Sequence, residues 1–143
     1  MEFSRYARGR LYTAFAPSEK PDPDAGQVFP LDAVVESRMD LENAFDSLLE
    51  LFLENGRIAT SNRFGSLGGP LLELKPRQLR VPYFHHGDRI VVLTHAFIKK
   101  RQQTPRSEIA RAMNIRDDWD EWSKSEAGAN AIREATRAQT PRQ

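Results

Sequence analysis

The chain has 143 residues and a mass of 16.3 kDa, which fits one compact domain over residues 1–143. It contains no cysteine and its longest aliphatic run is Ile90–Leu93, which excludes disulfides, thiolate catalysis and a membrane-spanning helix of about 20 apolar residues. The N-terminus has no apolar signal segment, so we expect a cytoplasmic protein. The net charge is only +1, but residues 75–106 hold eight basic residues, one acid and all three histidines. This segregation of charge favours a region that binds an anion such as nucleic acid.

The N-terminal part of the chain predicts one strand and two helices. Residues 9–15 alternate loosely and indicate a first strand, whereas the proline-rich and acidic residues 16–28 indicate an exposed loop or insertion. Apolar residues then recur with helical spacing, which predicts helices over 31–38 and 40–54. Asp40 is the expected N-cap of the second helix.

The rest of the chain predicts a small sheet followed by helical segments. Residues 57–69 are polar and contain glycine, which indicates a loop. Three β-rich runs follow, at residues 71–75, 78–85 and 89–98, and the short connections between them favour an antiparallel meander. Pro82 in the middle run cannot donate a ladder hydrogen bond, so we expect a bulge or an unpaired stretch there.

Helical signals return after the third run. Thr104-Pro105 indicates the start of a helix, since threonine suits the N-cap and proline the first turn. Trp119 and Trp122 are three residues apart and predict a helical turn that packs against the rest of the protein. Residues 123–143 have little apolar content and predict a flexible or helical tail.

The predicted meander carries the candidate functional residues. Strand alternation places His95 and Lys99 on one face, and the connectivity can bring Lys75, Arg80 and Lys99-Lys100 to one side of the sheet. The aromatic residues nearby are Tyr83, Phe84 and Phe97. A basic face with aromatic rings suits single-stranded RNA, because cations contact phosphates and rings stack on bases. The alternative is that the cations only keep the sheet edges solvated.

The histidines allow proton transfer better than metal binding. His85 and His86 are adjacent, so in a strand their side chains point to opposite faces and do not chelate one ion. We therefore expect no metal and no other cofactor. His95 is a candidate for proton transfer because imidazole titrates near neutrality, although a purely structural role remains an alternative.

Residues 71–112 resemble the HigB-type, phage-derived branch of the RelE/ParE toxin superfamily. The matching pieces, in order, are LELK at residues 72–75, RVPYF at 80–84, HAFIKK at 95–100 and QQTPRSEIARA at 102–112. The resemblance implies an α+β fold, with helices packed on one side of a twisted, mostly antiparallel sheet and a further C-terminal helix.

The resemblance also implies a function. Such proteins are toxins of type II toxin–antitoxin systems and act as mRNA interferases, which are endoribonucleases that cleave mRNA on the ribosome. The RNA 2′-hydroxyl attacks the adjacent phosphate, so no metal is required. The implied partners are mRNA, the ribosome and a helix-turn-helix antitoxin, with which the toxin forms a hetero-oligomer.

By position, the resemblance assigns phosphate-contacting catalytic roles to Arg80, Lys99 and Lys100. The residues expected to bind RNA are Lys75, Arg77, Arg101 and Gln102, with Lys75 standing where an arginine is usual. Residues 105–113 lack the tyrosine that relatives place in the final helix, so the general base is open among Tyr83, His85 and His95.

The sequence also allows two other functions. A degenerate toxin fold could bind RNA or an antitoxin without cutting, which the missing tyrosine favours. A ParE-like gyrase poison is a third possibility within the same superfamily, although the lysine and arginine motifs favour RNA.

Overall fold

The computed structural model describes residues 1–18, 38–57, 62–100 and 103–138. Within these ranges the chain forms seven strands and three helices. The strands are β1 (Glu2–Arg8), β2 (Thr13–Ser18), β3 (Phe64–Gly68), β4 (Leu71–Leu74), β5 (Leu79–His86), β6 (Ile90–Leu93) and β7 (Phe97–Ile98). The helices are α1 (Met39–Asn55), α2 (Arg106–Lys124) and α3 (Glu126–Ala138).

The strands form one mostly antiparallel sheet with the order β1-β2-β6-β5-β4-β3, and β7 pairs with β5 beyond the end of β6. In the described part of the chain the β2–β6 pair is parallel and the other pairs are antiparallel. The predicted α+β class and the meander of β4, β5 and β6 are therefore confirmed.

Helices cover both faces of the sheet, whereas the resemblance implied one side only. Helix α1 packs Phe45 and Phe52 against the face that carries Val91. Helices α2 and α3 pack Trp119 and Ala135 against the opposite face. All four residues of the central strand β6 are buried, as expected for a strand covered on both sides.

The first strand predicted from sequence was placed wrongly. Residues 9–12 form the connection between two strands, and β1 lies before it. Glu2, Arg5 and Arg8 are exposed on β1, which ends the sheet in the described residues. Charged side chains are typical of edge strands. In β1 they interrupt the alternation of apolar residues from which a strand is predicted. The predicted loop 16–28 also begins too early, since β2 runs to Ser18; residues 19–28 lie outside the described residues.

Two further strand predictions need correction. Residues 64–68 form edge strand β3 within the predicted loop 57–69. The predicted single strand over 89–98 is divided into β6 and β7 by Thr94–Ala96, which lie next to Pro82. The Pro82 carbonyl accepts a hydrogen bond from the Thr94 amide at 2.9 Å, and β5 then changes its partner from β6 to β7. The interrupted ladder that Pro82 predicts is thus present.

The helix predicted over 40–54 is confirmed as α1, with Arg38 rather than Asp40 at the N-cap position. The helix predicted over 31–38 lies outside the described residues except for Arg38. Thr104-Pro105 precedes α2 as expected, and the tail from residue 123 is helical through α3 as far as Ala138. None of the described helices combines the length and apolarity needed to cross a bilayer.

Candidate functional site

Basic residues meet at the end of the sheet where β4 stops and β7 begins. Leu74 pairs with Val81, so Lys75, the next residue, lies opposite Arg80. On its other side Arg80 pairs with Phe97 of β7. The Lys99 amide continues this register by donating to the Gln78 carbonyl at 2.8 Å. The backbones of Lys75, Arg80 and Lys99 therefore lie on three adjacent segments at one end of the sheet.

Arg80 is held in place by groups of the protein itself. Its Nη1 donates to the carbonyl oxygens of Arg77 and Leu79, and its Nε lies 3.9 Å from Oε1 of Glu73. Only 14% of the Arg80 side chain is exposed. Burial lowers the pKa of Arg80 and the Glu73 carboxylate opposes that shift, but an arginine remains a cation in either case. The guanidinium is a fixed, largely buried charge.

Glu73 is a buried acid that the sequence reasoning missed. It lies on β4 with 3% of its surface exposed, and its Oε2 accepts a hydrogen bond from Thr104 Oγ1 at 3.0 Å. Because Arg80 lies on β5 and Thr104 leads into α2, Glu73 joins two strands to the start of a helix. The available signal was one acid among leucines, LLEL, in a predicted strand.

His95 is fully buried and bonded through both ring nitrogens. Its Nε2 lies 3.2 Å from Glu108 Oε2, and its Nδ1 lies 3.1 Å from Thr94 Oγ1. The ring stacks on Phe97 with centroids 5.6 Å apart. Burial lowers the pKa of His95; the Glu108 carboxylate opposes this shift and Arg111 adds to it. His95 is therefore assigned as neutral near pH 7, with Nε2–H donating to Glu108; the single proton of the Thr94 hydroxyl is shared between two acceptors, His95 Nδ1 and the Pro82 carbonyl oxygen, each 3.1 Å from Oγ1.

A groove of about 470 Å³ lies between β7 and the first turn of α2. Its walls are formed by Phe97, Ile98, Lys99, Lys100, Pro105, Ser107 and Glu108. Lys100 is exposed and Lys99 is half-buried, so ammonium groups can reach a ligand in the groove. The side chain of Glu108, the partner of His95, is 21% exposed. The groove thus combines two cations with a carboxylate, a composition that suits a phosphodiester carrying a hydroxyl.

Two of the expected RNA-binding residues, Lys75 and Arg77, are not among the described residues that line this groove. The Lys75 side chain lies against Gly65 of β3. A Cβ atom added to Gly65 would be 3.3 Å from Nζ of Lys75. Arg77 points toward α1, with Nη1 3.5 Å from Asp40 Oδ2, and both side chains are largely exposed. Arg101 and Gln102 lie outside the described residues.

Tyr83 lies in the core on the face opposite Arg80, packed against Phe52 of α1. It has no exposed surface, and burial raises its pKa to about 12. Its hydroxyl has no hydrogen-bond partner among the described residues. From this position Tyr83 does not reach a ligand in the groove, so it is not placed to transfer a proton there.

The neighbouring histidines also lie away from the groove and point to opposite faces, as the sequence predicts. His85 contacts the ring of Tyr12, on the face that α1 covers. On the other face, His86 Nδ1 accepts a hydrogen bond from Trp119 Nε1 at 3.0 Å. Neither imidazole is placed to act on a ligand between β7 and α2.

A profile of the family Phage derived protein Gp49-like (DUF891) matches residues 37–117. The chain belongs to this family. The Gp49-like family is a RelE/HigB-like family of toxins in toxin–antitoxin systems, so the resemblance read from residues 71–112 is confirmed at this level. Membership implies an antitoxin partner. No curated protein matches the chain. The matched span of this Gp49-like protein includes α1, β3 to β7 and the first part of α2, and hence all residues that line the groove.

Proposed function

We propose that this Gp49-like protein is a type II toxin that cleaves mRNA on the ribosome without a metal ion. The observation that carries the proposal is the groove in which Lys99 and Lys100 lie beside the Glu108 carboxylate and its buried partner His95. Cations that hold a phosphate next to a proton-transfer group are what RNA cleavage by its own 2′-hydroxyl requires.

The proposed reaction needs no group from outside the protein and RNA. The 2′-oxygen forms a bond to phosphorus while the bond from phosphorus to the 5′-oxygen breaks, which leaves a 2′,3′-cyclic phosphate and a 5′-hydroxyl. The proton of the 2′-hydroxyl passes to the His95–Glu108 pair, and the departing oxygen takes a proton from solvent. The ammonium groups of Lys99 and Lys100 stabilise the charge that develops on the phosphoryl oxygens.

Arg80 lies next to this groove, on the strand that pairs with one of its walls. Arg80 pairs with Phe97 between β5 and β7, and the Phe97 ring is a wall of the groove and stacks on His95. Because Glu73 balances its charge, we assign Arg80 a structural role at this end of the sheet and no net positive potential in the groove. Direct contact between Arg80 and the scissile phosphate stays a prediction, as do the RNA-binding roles of Arg101 and Gln102.

Induced expression in a bacterial host tests the proposal. We expect growth arrest, with new mRNA 5′ ends mapped by primer extension, and we expect Lys100→Ala to abolish both effects. Lys124→Ala is the matched control, because it removes an exposed lysine at the far end of α2, about 27 Å along the helix axis. Normal growth with intact transcripts on expression of the unaltered protein would refute the proposal.

A second function is favoured by one observation, the engagement of the Arg80 guanidinium by backbone carbonyls and Glu73. An arginine held in this way is less able to close on a phosphate, so the protein could bind RNA or an antitoxin without cutting. This alternative predicts salt-sensitive RNA binding with no new RNA ends, because phosphate contacts release counterions whether or not cleavage follows.

A further inference from the structure

We propose that Glu108 is the general base that accepts the 2′-hydroxyl proton, and that His95 is a positioning residue that orients Glu108. This inference rests on the proposed ribonuclease function and assigns the base within it. It moves the proton-transfer role from His95, one of the three candidates that the sequence leaves open, to an acid in the first turn of α2.

Access to the groove separates the two residues. His95 has no exposed surface, and its ring is enclosed by Phe97, Thr94 and Glu108. Glu108 lines the groove and its side chain is partly exposed. A hydroxyl group in the groove therefore meets the carboxylate, whereas the imidazole lies behind it. A general base has to come within hydrogen-bond distance of the proton it removes.

Both ring nitrogens of His95 also face groups of the protein and not the groove. In the neutral ring Nε2–H donates to Glu108 Oε2, and Nδ1 lies 3.1 Å from the Thr94 hydroxyl, whose single proton is shared with the Pro82 carbonyl oxygen. Both nitrogens are thus used inside the protein. His95 binds only Oε2 of the carboxylate, so Oε1 is the oxygen that a substrate hydroxyl can approach.

The backbone fixes the position of Glu108. Its amide donates to the Pro105 carbonyl at 3.0 Å, which places Glu108 in the first turn of α2. Together with the bond from His95, this anchors the side chain at both ends. Lys99 and Lys100 lie across the same groove, so a phosphate held by them brings the neighbouring 2′-hydroxyl toward the carboxylate.

The proton step can be stated in full. Glu108 takes the proton of the 2′-hydroxyl as the 2′-oxygen bonds to phosphorus, and the carboxylic acid so formed keeps its hydrogen bond from His95. The bond from phosphorus to the 5′-oxygen breaks, and that oxygen leaves with its electron pair and takes a proton from solvent. Glu108 returns its proton to solvent after the product leaves.

The test uses the whole chain in a purified translation system programmed with a short mRNA, and measures single-turnover cleavage. Glu108→Gln keeps the size of the side chain and an oxygen for the His95 N–H, but it removes the base. We expect cleavage to fall by about 10²- to 10⁴-fold while RNA binding is unchanged. Lys124→Ala is the control and should cleave at the normal rate.

Two histidine variants separate positioning from proton transfer. His95→Gln retains an N–H donor for Glu108 and should stay within about tenfold of the unaltered protein, whereas His95→Leu removes the donor and should lose about 100-fold through misplacement of the carboxylate. Formate should restore cleavage to Glu108→Ala, and sodium chloride at equal ionic strength should not.

The possible failures can be told apart. If the unaltered protein cleaves and Glu108→Gln cleaves within tenfold of it, the assignment of Glu108 is wrong and the ribonuclease function stands. If His95→Gln is as inactive as Glu108→Gln and formate has no effect, His95 itself transfers the proton. If the unaltered protein produces no cleavage, the proposed function fails and this inference fails with it.

Discussion

Replacing Glu73 by glutamine tests whether the buried acid holds the basic end of the sheet together. The substitution keeps the side-chain size and an oxygen for Thr104, but it leaves the guanidinium of Arg80 without its counter-charge. Two unit charges 3.9 Å apart interact by about 4 kcal/mol at an effective dielectric constant of 20. Arg80 keeps its two carbonyl partners and some contact with solvent, so we expect the free energy of unfolding to fall by about 2–3 kcal/mol.

Urea unfolding followed by tryptophan fluorescence measures this change, because Trp119 is almost fully buried in the folded protein. Thr104→Val removes only the hydrogen bond to Glu73 and should cost about 1–2 kcal/mol. The double variant Glu73→Leu/Arg80→Met replaces both charges with apolar groups and should be nearly as stable as the unaltered protein. The reasoning is refuted if Glu73→Gln lies within about 0.5 kcal/mol of the unaltered protein, or if the double variant loses as much stability as Glu73→Leu and Arg80→Met lose separately when their losses are added.

Three further predictions concern other parts of the molecule. Lys100→Ala and Lys99→Ala should each weaken binding of single-stranded RNA, because each variant loses a proposed phosphate contact. Each should also lower the slope of log affinity against log salt by about 0.7. Unchanged slopes in filter-binding assays would exclude these contacts. Tyr83→Phe removes a buried hydroxyl that has no partner in the described ranges, so urea unfolding should show a gain of about 1 kcal/mol in stability, and a loss would reveal a partner for that hydroxyl. Burial lowers the pKa of His86 below 6.5, so the unfolded chain binds more protons and stability falls as the pH drops below about 6.5. His86→Gln keeps an acceptor for Trp119 and should flatten that fall between pH 7 and 5; an equally steep fall would assign it to other groups.

The sequence predicts the centre of this fold better than its edges. Helix α1 and the meander are recoverable because buried residues repeat with the period of a helix or a strand, as in the all-buried β6. Strands β1 and β3 lie at the two ends of the sheet, where charged residues and glycines replace the alternation. The division of residues 89–98 into two strands depends on Pro82 in the neighbouring strand, so it cannot be read from that run alone.

The candidate site was predictable to a similar extent. Strand register alone brings Lys75, Arg80 and Lys99 to one end of the sheet, and that much follows from the connectivity of a meander. The acids could not be found in this way. Glu73 meets Thr104 across 31 residues and Glu108 meets His95 across 13, and both contacts depend on where α2 docks on the sheet.

Glu73 and Glu108 reduce the free positive charge that the basic segment, residues 75–106, provides. Residues 75–106 contain Asp88 as their only acid, but Glu73 lies just before the segment and Glu108 just after it. The fold places Glu73 beside Arg80 and Glu108 beside His95. Arg80 is consequently balanced by Glu73, and in the described part of the chain the cations that line the groove are Lys99 and Lys100. Few phosphate contacts mean weak, mildly salt-dependent binding of free RNA. If the described walls of the groove provide most of its phosphate contacts, the ribosome would have to hold the mRNA in place, which agrees with the ribosome-dependent cleavage proposed above.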